Sequence, residues 1–414
     1  MRKRRLLFTL IAGLIFLFGS FAHPYAQTTL YDNEPAGSDK WQRYGFMNGN
    51  RVSFKFFNHS MLSDWPATDG SEWPIGSQCK MTDGIAIMIG AKLILDGNGN
   101  ILEPGQVGSD TLYFCQTRYR ENQDSDPVTG TIWGFAPVPG YLNPEQSTPA
   151  LSDNSNSWPI GGWPDQPAWV DNEGNSEWNG HFGRGKMNAD LECYFVVNDA
   201  LDQEYVDTYL PRAGKTITDT LGNVMPWGGL GLRVGVRGFQ WANPLAKDII
   251  FWHYDCTNLS DNEIYESTLG LWIDNNISDA NDDEIGVYIA PPINMAYAFD
   301  ENGVGTGGVA VGVIGTAYLE SPGIPRDGKD NDVDGIIDEK RDNDGGVFTT
   351  DSLEGPEGTR VDPTLFQQFY GYAPKAHWTG DEDMDWRGYE DVNGNGKWDS
   401  DEPYNDDVGT DGVG

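Results

Sequence analysis

Basic residues are scarce in this 414-residue chain. The 27 Lys and Arg stand against 63 Asp and Glu, a formal net charge of −36. A field of that sign repels nucleic acid and anionic lipid and attracts cations. Histidine is rarer still, with five in all and none in an H-E-x-x-H pair. A G-x-S-x-G elbow and a phosphate loop are both missing, so the common hydrolase and nucleotide-binding signatures are absent. The four cysteines, Cys79, Cys115, Cys193 and Cys256, include no C-x-x-C pair, which argues against zinc knuckles and thiol redox chemistry. Helical periodicity is nearly absent; Pro363–Tyr370 is the one short segment predicted to be helical. Glycoside hydrolysis needs only two suitably spaced acids and leaves no short motif. No catalytic residue is therefore named, and a non-enzymatic role is the expectation.

One apolar run stands out, Leu6–Phe18, preceded by Arg2, Lys3, Arg4 and Arg5 and followed by small residues from Gly19 to Ala26. This is the layout of a secretory signal peptide, and residues 1–26 are read as one. The run is shorter than the roughly 20 residues that span a bilayer, and no second segment is long and apolar enough to do so. Loss of 1–26 removes four basic groups and no acidic ones, taking the charge from −36 to −40. The expected product is secreted or held at the cell surface. In that compartment the four cysteines allow three disulfide pairings, or else serve as four buried thiols; both readings stay open.

From Thr28 to Tyr318 the pattern is β. Runs rich in Val, Ile, Phe, Tyr and Trp recur at Val52–Phe57, Ile85–Leu95, Thr111–Arg118, Leu191–Val197, Leu230–Phe239 and Asp248–Thr257. Three more follow at Thr268–Ile273, Gly286–Phe299 and Val309–Tyr318. In the sixth run Trp252, Tyr254 and Cys256 alternate with His253 and Asp255, as a half-exposed antiparallel strand should. The expected fold is mainly β: one or two antiparallel β-sandwich domains over 27–320, with a possible internal boundary in the turn-rich segment Tyr141–Met187. Irregular acidic loops over 321–414 are expected to follow.

That last region holds 24 Asp and Glu against 8 Lys and Arg. Such a segment repels itself unless a counter-ion organises it. Residues 391–402 read D-V-N-G-N-G-K-W-D-S-D-E. Asp391, Asn393 and Asn395 alternate, Gly396 takes the sixth position, Lys397 offers a carbonyl, Asp399 follows and Glu402 closes at the twelfth. This is the oxygen spacing of a Ca2+ loop. The flanks depart from an EF-hand, since Gly388 interrupts the entry and Pro403 forbids an exiting helix. The chain stops inside a further acidic run, 405–412, and is expected to continue beyond it.

A second arrangement begins at Asp330, where R-D-G-K-D-N-D-V-D-G-I-I-D-E repeats the one-three-five-glycine-nine pattern but places Arg341 at the twelfth position. It resembles the D-G-x-D-N-D-x-D-G-x-x-D-E repeats of large secreted bacterial proteins and, similarly, thrombospondin type 3 repeats. The resemblance implies Ca2+ bound by Asp330, Asp332, Asp334 and Asp338 with the Ile336 carbonyl. Val333 stands where those repeats carry cysteine, so no disulfide is implied. Asp274–Glu284 also gathers carboxylates between two strands, and calcium or a plain solvated loop both fit. Asp96–Asn100 has calcium-like spacing but lacks the sixth-position glycine and lies between apolar runs, which predicts a hairpin turn.

Trp158, Trp163, Trp169 and Trp178 punctuate a Pro/Gly-rich stretch. Inward packing over a sheet is the expected role of these rings; stacking on sugars is the alternative. Finally, D-I-I-F-W-H-Y-D-C-T-N-L-S-D at 248–261, L-G-L-W-I-D, D-D-E-I-G, N-M-A-Y-A-F-D and Y-L-E-S-P-G resemble recurring segments of large secreted proteins of the Bacteroidetes and Ignavibacteria type. Weaker matches extend back to N-G-N-R-V and W-P-I-G-S. The resemblance implies export and surface association but carries no activity with it. The expected role is an exported calcium-binding structural or adhesive protein whose partners are calcium and other surface proteins. A secreted glycan-binding or glycan-degrading protein, with polysaccharide as the partner, is the alternative.

Overall fold

The structure, a computed structural model, describes residues 34–319 with short breaks at 66, 68, 103–105, 120–124, 205, 207–214, 219–220, 263, 265, 279–282 and 291–292. Beyond these it describes only four dipeptides, 336–337, 348–349, 360–361 and 377–378. The fold is mainly β and antiparallel. In chain order the first strands are β1 (Tyr44–Met47), β2 (Ser53–Phe57), β3 (Met61–Leu62), β4 (Ser71–Glu72), β5 (Thr82–Leu95) and β6 (Asp110–Thr117). Next come β7 (Ala136–Pro137), β8 (Ala150–Leu151), β9 (Asn179–Gly180), β10 (Gly183–Arg184), β11 (Leu191–Asn198), β12 (Thr216–Thr218) and β13 (Val224–Pro226). The series ends with β14 (Leu232–Gln240), β15 (Phe251–Asn258), β16 (Glu266–Asn275), β17 (Asp283–Ala290), β18 (Ile293–Asp300) and β19 (Val313–Tyr318).

Two sheets carry the main core. The first runs β1-β2-β3-β5-β16, with β4 added on β2 and β6 on β5; the second runs β15-β14-β11-β7, with β8 added on β11. β5 shows why its residues form a strand. From Ile87 to Leu95 every second residue is buried, so I-x-I-x-A-x-L-x-L points inward as period-two chemistry requires. Those side chains meet Leu191, Phe195, Val197, Leu232, Val234 and Val236 of the second sheet in one continuous core. Phe56 and Phe195 stack across the gap with ring centres 5.9 Å apart. The two sheets thus form a single sandwich.

β11 is buried at all eight positions, on both faces. Its inner face joins the core just described. The outer side chains Tyr194 and Val196 lie under Val138, Tyr141, Trp163 and Trp178. A strand covered on both sides reads as a near-continuous apolar run, which is how L-E-C-Y-F-V-V appears in the sequence. The turn-rich segment 141–187 is therefore an irregular third layer laid over the second sheet.

The run Gly286–Phe299 is two strands rather than one. β17 and β18 pair from Asp283↔Asp300 to Ala290↔Ile293, and β19 completes a three-stranded sheet on β18. Ile314 of β19 packs against the main core. Phe251–Asn258 behaves as its alternation predicts: Trp252 and Tyr254 pack on the core, while His253 and Asp255 face solvent. Cys256, read with the apolar face, is exposed near the strand end. No helix among the described residues is long and apolar enough to cross a membrane.

Candidate functional site

The two calcium motifs fall where the structure says least. Asp391, Asn393, Asn395, Lys397, Asp399 and Glu402 lie outside the described residues, as do Asp330, Asp332, Asp334 and Asp338. Ile336 is described through its backbone alone, in the strand Ile336–Ile337, which pairs antiparallel with Arg360–Val361. The predicted helix Pro363–Tyr370 and the segment 1–26 also lie outside the described residues. Among the described residues no group of three or more metal-ligating side chains converges.

The hairpin expected at Asp96–Asn100 is present, and its geometry bears on the calcium motif. The Asp96 carboxylate accepts the backbone N–H of Asn98 at 2.7 Å and of Asn100 at 2.9 Å, and the Asn100 side-chain amide at 2.8 Å. Gly99 closes the turn at φ 83°, a value only glycine adopts without strain. Asp171–Asn175 repeats the arrangement. Asp171 accepts from the N–H groups of Glu173 and Asn175 and from the Asn175 amide at 2.8, 2.9 and 2.9 Å, with Gly174 at φ 86°. These bonds, the Asn side-chain amide first, hold both aspartates below the usual carboxylate range.

The shared pattern is D-x-x-G-N. It returns at 219–223, where Gly222 has φ 87°, and again at Asp391–Asn395. The first five residues of the best calcium motif thus share a sequence pattern that, at Asp96 and Asp171, satisfies the carboxylate without a metal. That recurrence was readable in the sequence as an internal repeat of five residues.

In the carboxylate segment Asp274–Glu284 the stretch 274–277 is tied down by internal contacts, while Glu284 is exposed. Tyr119 donates its hydroxyl to Asp274, Asn276 donates to Asp83 at 2.9 Å, and Ile277 is fully buried. Asp279, Asn281 and Asp282 lie outside the described residues.

In the tryptophan layer three of the four indole N–H groups bond within the protein, while Trp169 is half-buried. Trp158 donates to the Leu151 carbonyl, Trp163 to the Glu177 carbonyl and Trp178 to the Glu192 carboxylate, each at 2.7 Å. Trp163 and Trp178 are fully buried. Glu192 is buried beneath them and uses its second oxygen to accept the N–H groups of Asn188 and Ala189. Two further buried acids brace the same sheet. Glu34 pairs with Arg233 at 2.7 Å, and Asp199 accepts the N–H groups of Leu230 and Leu232 at 2.7 and 2.8 Å. These contacts are architectural: each carboxylate faces a fixed protein donor rather than an opening. All four cysteines are free thiols, with Cys79 and Cys193 buried and Cys115 and Cys256 exposed.

No family model, curated protein or solved structure matches the chain.

Proposed function

We propose that this chain is an exported calcium-binding structural or adhesive protein of the cell surface or extracellular space, in which a β-sandwich carries an acidic region ordered by Ca2+. The observation that carries this reading is the twelve-residue spacing from Asp391 to Glu402. It supplies side-chain oxygens at one, three and five, glycine at six, a carbonyl at seven and a carboxylate at twelve. The Asp330–Asp338 segment and the charge of residues 321–414 support it. An affinity of about 10⁻⁴ to 10⁻³ M, that of extracellular modules, is sufficient outside the cell.

Calorimetric titration of the metal-free protein with Ca2+ tests the reading. Saturable binding is expected, with stepwise loss of sites in Asp391→Ala and Asp330→Ala. Absence of binding at millimolar Ca2+ overturns it. The glycan alternative cannot draw on the buried rings Trp163 and Trp178. Of the four rings it is left with the half-buried Trp158 and Trp169, and a polysaccharide pull-down separates the two readings.

A further inference from the structure

Two histidines meet at the margin between the tryptophan layer and the second sheet. His253 lies on the solvent-facing side of the edge strand β15, opposite Arg237 of β14 and two residues before Asp255. His181 lies in the tight connection between β9 and β10, which sits over the same sheet face. The two imidazole ring centres are 5.1 Å apart, with ring planes at 58°. Among the described residues no hydrogen bond engages a ring nitrogen of either histidine.

Both rings are held by rigid surroundings. The β9–β10 hairpin is tied down by Asn179, which receives Arg237 through its carbonyl and its side-chain oxygen and donates to Asp165 at 3.0 Å. His181 packs edge-on against Phe182 and Phe239, with centres 4.7 and 6.2 Å away. His253 is fixed by eight residues of antiparallel register with β14. Two rings brought together from a hairpin and a strand, rather than from a free loop, have little freedom to separate.

We propose that His181 and His253 form a two-imidazole site for a borderline divalent transition ion, Zn2+ being the probe of choice, with water completing the coordination. The distance favours this reading. An ion about 2.0–2.1 Å from one nitrogen of each ring, at a tetrahedral angle, sets the ring centres about 5 Å apart. Imidazole selects such ions over Ca2+ and Mg2+, which take oxygen. The site is thus chemically distinct from the acidic motifs.

Ligation needs neutral rings. His181 and His253 are both exposed at the surface, so an ion and its completing waters can reach them. Arg237 opposes a second cation here. Its guanidinium is bound by Asn179 and lies over the Tyr194 ring at 3.8 Å, and Asp255 on the face of His253 supplies a compensating charge. A bound ion would tie the covering hairpin to an exposed sheet edge.

The test is a calorimetric Zn2+ titration of the full chain in saturating Ca2+, so that oxygen sites are already filled. One saturable Zn2+ site is expected, weakened at least about tenfold by His181→Ala and equally by His253→Ala. His377→Ala is expected to leave it unchanged. His181→Gln, which keeps a polar side chain in the turn, should give the same loss, and far-UV circular dichroism establishes that each variant is folded. Absence of binding at about 100 µM Zn2+, or loss in only one of the two alanine variants, overturns the proposal. Because Ca2+ is saturating throughout, failure here leaves the calcium reading standing, and the converse also holds.

Discussion

His59 is completely enclosed, and neither of its ring nitrogens has a hydrogen-bond partner. It lies in the turn after β2 with its ring stacked on Phe57, centres 5.1 Å apart. Desolvation, then the charge of Arg118, lowers its pKa well below the usual value. The sign of the linkage follows directly. Above about pH 6.5 the ring is neutral in both folded and unfolded chains. Below that, the unfolded chain takes up a proton that the folded chain refuses, so stability falls by up to about 1.4 kcal/mol per pH unit until the folded pKa is reached. His59→Leu removes the titration at little packing cost, because an apolar side chain loses no hydrogen bond there. Urea unfolding of the two proteins at pH 7.5, 6 and 5 is the check. The stability of the variant relative to the parent should rise as pH falls, and a pH-independent difference would refute this account. The histidine was visible in the sequence, but its burial was not, since nothing in F-F-N-H-S marks a residue enclosed in the interior.

The element scale separates what the sequence displayed from what it concealed. Strands with strict alternation, such as β5 and β15, were legible because each side chain's face follows from a period of two. The run Gly286–Phe299 concealed a hairpin, because Pro291 and Pro292 sit between two apolar stretches without a glycine-asparagine signal. The tryptophan segment was legible as rings packed inward over a sheet, as Trp163 and Trp178 are; which strand they cover was not, because nothing local states that β11 needs a lid on its outer face. The candidate calcium motif remains legible only as spacing, and the D-x-x-G-N turns give that spacing a rival. Substitution Asn395→Asp separates the two. In a calcium loop a carboxylate at the fifth position adds ligand charge and tightens binding. In a self-satisfied turn the same change removes the amide donor that Asn100 and Asn175 supply in their own hairpins. It also sets two carboxylates face to face. The expected outcome is tighter Ca2+ binding in Asn395→Asp than in the parent. Weaker binding or none would assign Asp391–Asn395 to the turn class and leave Asp399 and Glu402 without an ion.

Over the whole molecule, charge and core are unevenly distributed. Residues 34–319 contain the apolar sandwich and its tryptophan lid, where burial of large side chains at about 1.5–3 kcal/mol each supplies the driving force. Residues 321–414 carry 24 acidic groups against 8 basic ones, so like-charge repulsion there disfavours compaction unless counter-ions gather among the carboxylates. On the proposed reading calcium would offset it, at the places where oxygens can surround the ion. Mg2+ is no substitute, because its strict octahedral shell and reluctance to shed water suit a different cage. This asymmetry predicts a regional response to chelation. Limited proteolysis in EDTA should cut within 321–414 several times faster than in millimolar Ca2+, with Mg2+ giving no protection, while cleavage within 34–319 proceeds equally in all three buffers. The 34–319 region serves as the internal control, since a general effect of EDTA on the protease would change both regions together. Equal cleavage of 321–414 with and without calcium would mean that the acidic residues are solvated individually, and the structural role would then have to rest on the sandwich alone.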